Sequence, residues 1–249
     1  MSKLRAFLRT GGFIGWSAGN LAAYEAHRLL LSDEARSALL ARYRDRFTHG
    51  VLRLFGVELL MRGSLDLDRG ALVVANHQSA LDIGVMLSLS RGVLVSRHDV
   101  ADWPLLGRMA KHGSTIFVDR DDRRSGASAL REVRRRVKEG RVVVAFPEGG
   151  TFPGDSVHEF HPGTFAAVRS LGAPVIPVGL AYSPAVHYGK ESFAEHMSNV
   201  AAREKTRIAV HVGDPLPDAS DARAAAVAAR AEVERLVHRG RTELRATER

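Results

Sequence analysis

The chain has 249 residues, is 45% hydrophobic, contains no cysteine and carries 36 Lys and Arg against 28 Asp and Glu, for a net charge of +8. These proportions exclude a disordered, collagen-like or disulfide-stapled chain, and the missing thiols exclude a thiolate zinc site and a cysteine nucleophile. The excess of cations favours anionic partners such as phosphates, phospholipid headgroups or nucleic acid without choosing among them, and the length suits one large domain.

Residues 10–24 carry no charge and hold Phe13, Ile14, Trp16 and Leu21. The stretch is shorter than the roughly 18 apolar residues of a membrane span and is interrupted by Gly11, Gly12, Gly15, Gly19 and Asn20. With Lys3, Arg5 and Arg9 ahead of it, it suits a helix lying in the membrane interface, cations at the headgroups and Trp16 at the boundary. A helix packed on the domain is the alternative. No small-residue cleavage site follows, which argues against a signal peptide. Past Ser32-Asp33, a helix start, Leu40, Tyr43, Phe47, Val51 and Leu54 recur at helical spacing with Arg36, Arg42, Arg44, Arg46 and Arg53 between them. Residues 1–56 are therefore expected to form a pair of helices for membrane association.

From residue 57 the pattern changes. Strands are predicted at 57–61, 71–75, 92–96, 115–118, 141–146, 175–181 and 207–212, and helices at 79–90, 103–111, 125–139 and 163–171. The alternation implies a single α/β domain over 57–217, a mixed, mostly parallel sheet layered by helices. In the helix at 125–139, Leu130, Val133 and Val137 form the sheet-facing stripe, Arg131, Arg134, Arg135, Arg136 and Lys138 the remainder, and Gly140 the stop. Residues 218–249 are Ala-rich with Val227, Val233, Leu236 and Val237 as their few apolar anchors, and read as a surface helix prone to fraying.

Three strand exits carry residues capable of chemistry. After 71–75 comes Asn76-His77-Gln78-Ser79-Ala80-Leu81-Asp82. A turn ahead of the helix can aim His77 at Asp82, and a carboxylate on one imidazole nitrogen leaves the other free to take a proton from a hydroxyl. Ser79 and Asp82 also match a helix capping box. After 141–146 come Glu148, Gly149, Gly150 and Thr151, a carboxylate able to bind a hydroxyl or a cation beside glycines that let backbone N–H groups approach an anion; a plain tight turn is the alternative. After 115–118 come Asp119 and Arg120, whose guanidinium matches phosphate oxygens or pairs with a neighbouring aspartate.

His77-x4-Asp82, Phe117-Val-Asp-Arg120, Phe146-Pro-Glu-Gly149 and Ala173-Pro-Val-Ile-Pro-Val178 occur in that order. The combination resembles the four motif blocks of the glycerolipid acyltransferases, the family that includes 1-acyl-glycerol-3-phosphate acyltransferases, over residues 57–215. The resemblance implies transfer of a fatty acyl group from acyl-coenzyme A or acyl carrier protein to the hydroxyl of a lysophospholipid. The enzyme would work peripherally at the cytoplasmic face of a membrane with anionic phospholipids, without cofactor, metal or nucleic acid. It assigns His77 as general base, Asp82 as its support, Arg120 to the acceptor's phosphate, and Glu148, Gly149, Gly150 and Thr151 to the acceptor site. The prolines at 174 and 177 read as structural, bracketing a strand entry. The family commonly continues its third block with Thr, Arg and Ser, where this chain has Gly150, Thr151 and Phe152; the change leaves room for other lysolipids, lyso-ornithine-type lipids among them.

Other readings are weaker. His98, Asp99 and His112 match no usual metal-ligand spacing, and Ser79 lacks the G-x-S-x-G turn of a nucleophile. A non-enzymatic anionic-lipid or nucleic-acid binding module using the basic surface at 120–138, or a phosphate-dependent hydrolase on the same His–Asp pair, are the rivals. The 6% aromatic content gives a base-stacking surface little support.

Overall fold

The computed structural model describes residues 2–65, 67–119, 121–152 and 156–247. The helices α1 (Ser2–Arg28) and α2 (Asp33–Leu54) lead into β1 (Val57–Arg62), β2 (Ala71–Ala75), α3 (Leu81–Ser90) and β3 (Val93–Arg97). A 3-10 turn at His98–Asp102 precedes α4 (Leu106–His112), β4 (Ile116–Val118), α5 (Arg123–Lys138) and β5 (Val142–Ala145). Then come α6 (Gly163–Val168), β6 (Val175–Ser183), α7 (Phe193–Ala202), β7 (Thr206–Val212) and α8 (Ala222–Thr247). All seven predicted strands are present. They form one sheet in the order β1-β7-β6-β2-β5-β3-β4, parallel throughout except for β6 against β7.

The central strands β2 and β5 are buried along their whole length, as continuous apolar runs covered on both faces should be. One face packs Val73, Val144, Ile176 and Ile208 against helices α1, α2, α3 and α7; the other packs Leu72, Val143, Val175 and Ala209 against α5, α6 and α8. This is a single α/β domain of three layers. Because β2, β3, β4, β5 and β6 share a direction, their C-terminal ends gather along one edge of the sheet, where such folds bind ligands.

Three expectations are corrected. The helix predicted at 103–111 does not begin at Trp103, which is extended (ψ 135°) as a residue before proline tends to be; Leu105 takes φ 61° and the helix starts at Leu106. Helix α7 has no counterpart among the predicted elements. The C-terminal helix is not a loosely held surface element. It lies across β6 and β7 with Ala225, Ala226, Ala229, Val233, Leu236, Val237 and Leu244 buried, while Val227 is 70% exposed. Its alanines and Gly179 allow close approach: a Cβ on Gly179 would come within 2.6 Å of Leu236 and the Val237 nitrogen. Each fully buried Val or Leu there contributes about 1.5–3 kcal/mol before entropy.

Helix α1 packs along one side of the domain. No helix among the described residues is long and apolar enough to cross a membrane. The helix packs on the domain through Ala6, Ser17, Asn20, Leu21 and Tyr24 and leaves Leu4, Phe7, Leu8 and Ile14 exposed on the opposite side. Trp16 packs partly buried against the core. Its Nε1 donates to the Phe47 carbonyl (3.2 Å) and its ring lies under Arg46 (5.2 Å). Arg5 and Arg9 do not face outward as free headgroup cations: they donate to the carbonyls of Ala202 (3.3 Å), Arg203 (2.6 Å) and Glu204 (3.2 Å), groups a helix C-terminus leaves without partners.

Candidate active site

Strand β2 hands the chain to Asn76, whose side-chain amide brackets the backbone of Leu180, donating to its carbonyl (2.9 Å) and accepting its N–H (2.8 Å). The next residue, His77, is turned so that Nδ1 lies 2.8 Å from Asp82 Oδ2. Asp82 is fully buried, and the same oxygen accepts the N–H groups of Gln78 (2.7 Å) and Ser79 (2.8 Å). Its other oxygen accepts the hydroxyl of Tyr182. One half of the capping-box reading is present, the Asp82 carboxylate on the Ser79 N–H, while the Ser79 hydroxyl accepts the Leu81 N–H (3.2 Å) and not that of Asp82.

With Nδ1 facing the carboxylate, the lone pair of the neutral imidazole is on Nε2, the arrangement a general base needs. The ring is stacked on Phe146 (centroids 4.1 Å, 15°) and its side chain is 17% exposed. Tyr182 remains a donor. Burial, then the charge of Asp82, push its phenol well above the usual tyrosine range.

The exit of β5 supplies the opposite wall. Glu148 is buried, and its two oxygens accept the N–H groups of His77 (2.8 Å) and His158 (3.0 Å). Desolvation raises its carboxyl above the usual range, opposed by those same hydrogen bonds. Glu148 thus ties the two loops together and is not among the cavity-lining residues. Gly149 takes φ 85°, a conformation suited to glycine, and Gly149, Gly150 and Thr151 line the cavity beside Phe146 and His77. Arg120 lies outside the described residues. The carbonyls of Pro174 and Pro177 accept the N–H groups of Leu72 (3.0 Å) and Gly213 (2.9 Å), framing the start of β6.

His77 opens onto a cavity of about 620 Å³. It runs past Leu81, Gly84 and Leu87 of α3 to Phe13, Phe47 and Met109 of α1, α2 and α4. Arg97 and Asp99 also line it, joined to each other by two contacts of 3.0 Å. Among the described residues no group of three or more His, Asp or Glu has a metal-holding arrangement. The arginines of α5 are partly spoken for: Arg135 pairs with Glu132 and Glu139, and Arg136 with Glu132, whose carboxyl those partners draw down to about 2.

Two contributors were invisible in the sequence. Strand β6 runs on past the end of β2, whose Ala75 pairs with Val178, so Tyr182 overhangs the turn and reaches Asp82. The other is His196 of α7, 2.9 Å from the Ser79 hydroxyl. Neither lies in a motif, and only the strand register, one hundred residues away in sequence, reveals the first.

A family model described as Acyltransferase matches residues 56–181. The lyso-ornithine lipid O-acyltransferase of Rhizobium meliloti is 34% identical over 57% of this chain and 48% of its own length, about half of that relative. The enzyme of the same name from Pseudomonas aeruginosa is 28% identical over 87% of each chain. The crystal structure of the 1-acyl-sn-glycerophosphate acyltransferase of Thermotoga maritima shares the fold, with a TM-score of 0.75 over 99% of this chain and 98% of that one at 23% identity. With a matching family model over half its length and the histidine–aspartate turn at the strand exits, the chain belongs to the glycerolipid acyltransferase family.

Proposed function

We propose that this protein transfers a fatty acyl group from a thioester, acyl-coenzyme A or acyl carrier protein, to the hydroxyl of a lysolipid, with His77 as general base. The observation that carries the reading is the His77 Nδ1 to Asp82 contact of 2.8 Å at the mouth of the apolar cavity. His77 Nε2 takes the proton of the acceptor hydroxyl as its oxygen attacks the thioester carbonyl. The C–O bond forms, the C–S bond breaks, and the imidazolium returns its proton to the departing thiolate. Asp82 stabilises the imidazolium, and Tyr182 with the Gln78 and Ser79 N–H groups holds that carboxylate still. The acyl chain occupies the cavity beneath α3. Glu148 acts by holding the His77 backbone, while Gly149, Gly150 and Thr151 shape the acceptor side with Arg120.

A lyso-ornithine-type lipid is the preferred acceptor, and 1-acyl-glycerol-3-phosphate the second. Relatives bear both names, and the order of preference rests on Gly150-Thr151-Phe152, which stands where a phosphate-binding arginine is common in the family. The protein works on the cytoplasmic face of the membrane as a peripheral enzyme, with Leu4, Phe7, Leu8 and Ile14 of α1, and Leu29 and Leu30 beyond it, in the interface. The test is thioester consumption against a panel of lysolipids: consumption that requires a lysolipid supports transfer, and consumption without one indicates a hydrolase. Greater turnover of the phosphate-bearing acceptor would reverse the order of preference.

A further inference from the structure

Helix α7 lies outside every motif block, yet its fourth residue reaches the catalytic turn. His196 is 1% exposed; its Nε2 accepts the Ala80 N–H (3.3 Å) and lies 2.9 Å from the hydroxyl of Ser79. A ring nitrogen that accepts a backbone N–H carries no proton, so the proton is on Nδ1, which faces the backbone of His187 and Glu191 Oε1 at 3.6 Å. Burial favours this neutral form, lowering the imidazole below its ordinary range. The ring stacks on Tyr188 (centroids 4.4 Å, 17°), whose own N–H donates to the Gln78 carbonyl (2.9 Å).

The turn 78–80 is therefore held from two sides. The N–H groups of Gln78 and Ser79 point at Asp82, and the Ser79 hydroxyl and the Ala80 N–H point at His196. The Ser79 oxygen also accepts the Leu81 N–H (3.2 Å), which joins this contact to the first turn of α3, where Asp82 sits. Removing the His196 acceptor leaves the Ala80 N–H without its partner and the Ser79 hydroxyl with the Tyr182 phenol alone, so the turn loses its hold on this side. A shift of well under 1 Å there moves Asp82 relative to His77, and catalytic geometry tolerates little.

We propose that His196 is a positioning residue for acyl transfer: by accepting from Ser79 and Ala80 it holds the turn that presents Gln78 and Ser79 to Asp82, and so aims His77. The proposal rests on the reading of His77 as general base. It differs from a packing role in what it requires of position 196, an acceptor at Nε2 and not only a ring of the right size.

The test compares two substitutions in the full chain. His196→Phe keeps the ring and its stacking on Tyr188 but has no acceptor; His196→Gln places an amide oxygen near the position of Nε2. Expected is a fall in kcat of about tenfold for His196→Phe with KM for the acyl thioester within about twofold, and recovery of most of that loss in His196→Gln. A phenylalanine variant at wild-type kcat, or a glutamine variant no faster than it, overturns the proposal. Ser79→Ala approaches the contact from its other side should His196→Phe fail to fold; kcat is expected to fall a few-fold, and an unchanged kcat overturns the proposal. His77→Ala assayed in parallel separates the two claims. Wild-type transfer in that variant removes the base and this role with it, whereas an inactive His77→Ala beside a fully active His196→Phe removes the role of His196 alone.

Discussion

Around His77 the polar groups find partners both near and far along the chain: Asp82 five residues on, Glu148 from the exit of β5 and Tyr182 from β6. Along the outer face of α1, by contrast, Leu4, Phe7, Leu8 and Ile14 stand 55–76% exposed, while the cations beside them are turned inward onto the end of α7. One region is specified by directional bonds in a buried setting, where removing a single partner leaves an unsatisfied group. The other is specified by shape and hydrophobicity, and no single side chain decides it. On the proposed function, chemistry and location rest on different features of the same fold, and substitutions should separate them.

The sharpest break in the comparison is Asp82→Asn. The amide puts N–H donors where the turn presents donors and no longer fixes the His77 tautomer, so acyl transfer is expected to fall by about 10²–10³-fold in steady-state kcat. Tyr182→Phe removes one of the donors to that carboxylate and is expected to cost about tenfold in kcat with little change in KM. A larger loss in Tyr182→Phe than in Asp82→Asn would reverse that order.

The next effect is on stability. His196 is held below the ordinary histidine value of 6.5, with burial as the main cause. The unfolded chain then binds a proton there that the folded one refuses. Its contribution to stability is complete above the unfolded value and is lost as pH falls through the lowered folded value. The thermal midpoint of His196→Gln is therefore expected to fall less steeply below pH 6.5 than that of the wild type, as calorimetry at a series of pH values would read. Parallel profiles would contradict it.

The smallest effect on the fold is expected on the other side of the comparison. Leu4→Ser, Phe7→Ser and Leu8→Ser together remove exposed apolar surface, so stability should change by about 0.5 kcal/mol per site or less. Flotation on anionic vesicles should nonetheless drop several-fold. Unchanged flotation would remove the interfacial role. Deleting α1 outright is a poorer probe, because Phe13 and Leu21 line the cavity.

The strands were legible because buried apolar runs such as 71–75 and 142–145 end at turn residues, and the His77 and Glu148 loops were legible because each follows such a run. Helix α7 carried a usable signal: Ser192 and Glu195 form a capping box, visible as Ser-x-x-Glu in the sequence. The burial of the C-terminal helix is not legible in its sequence because its packing face is alanine, which hydrophobic spacing underweights and close approach to the sheet rewards. The hydrogen bonds of Glu148 were not legible, since nothing local marks a carboxylate that accepts two backbone N–H groups from other loops. Tyr182 and His196 depend on contacts spanning 100 and 117 residues of sequence, which no local pattern encodes.

The central claim is direct transfer assisted by His77. A single turnover with acyl thioester labelled in the acyl chain, in the presence of lysolipid, tests it most directly. In the wild type the label is expected to pass to the lysolipid with none left on the protein, and in a folded His77→Ala variant it is expected to stay in the thioester; label on the protein, or transfer at the wild-type rate without His77, would contradict the account.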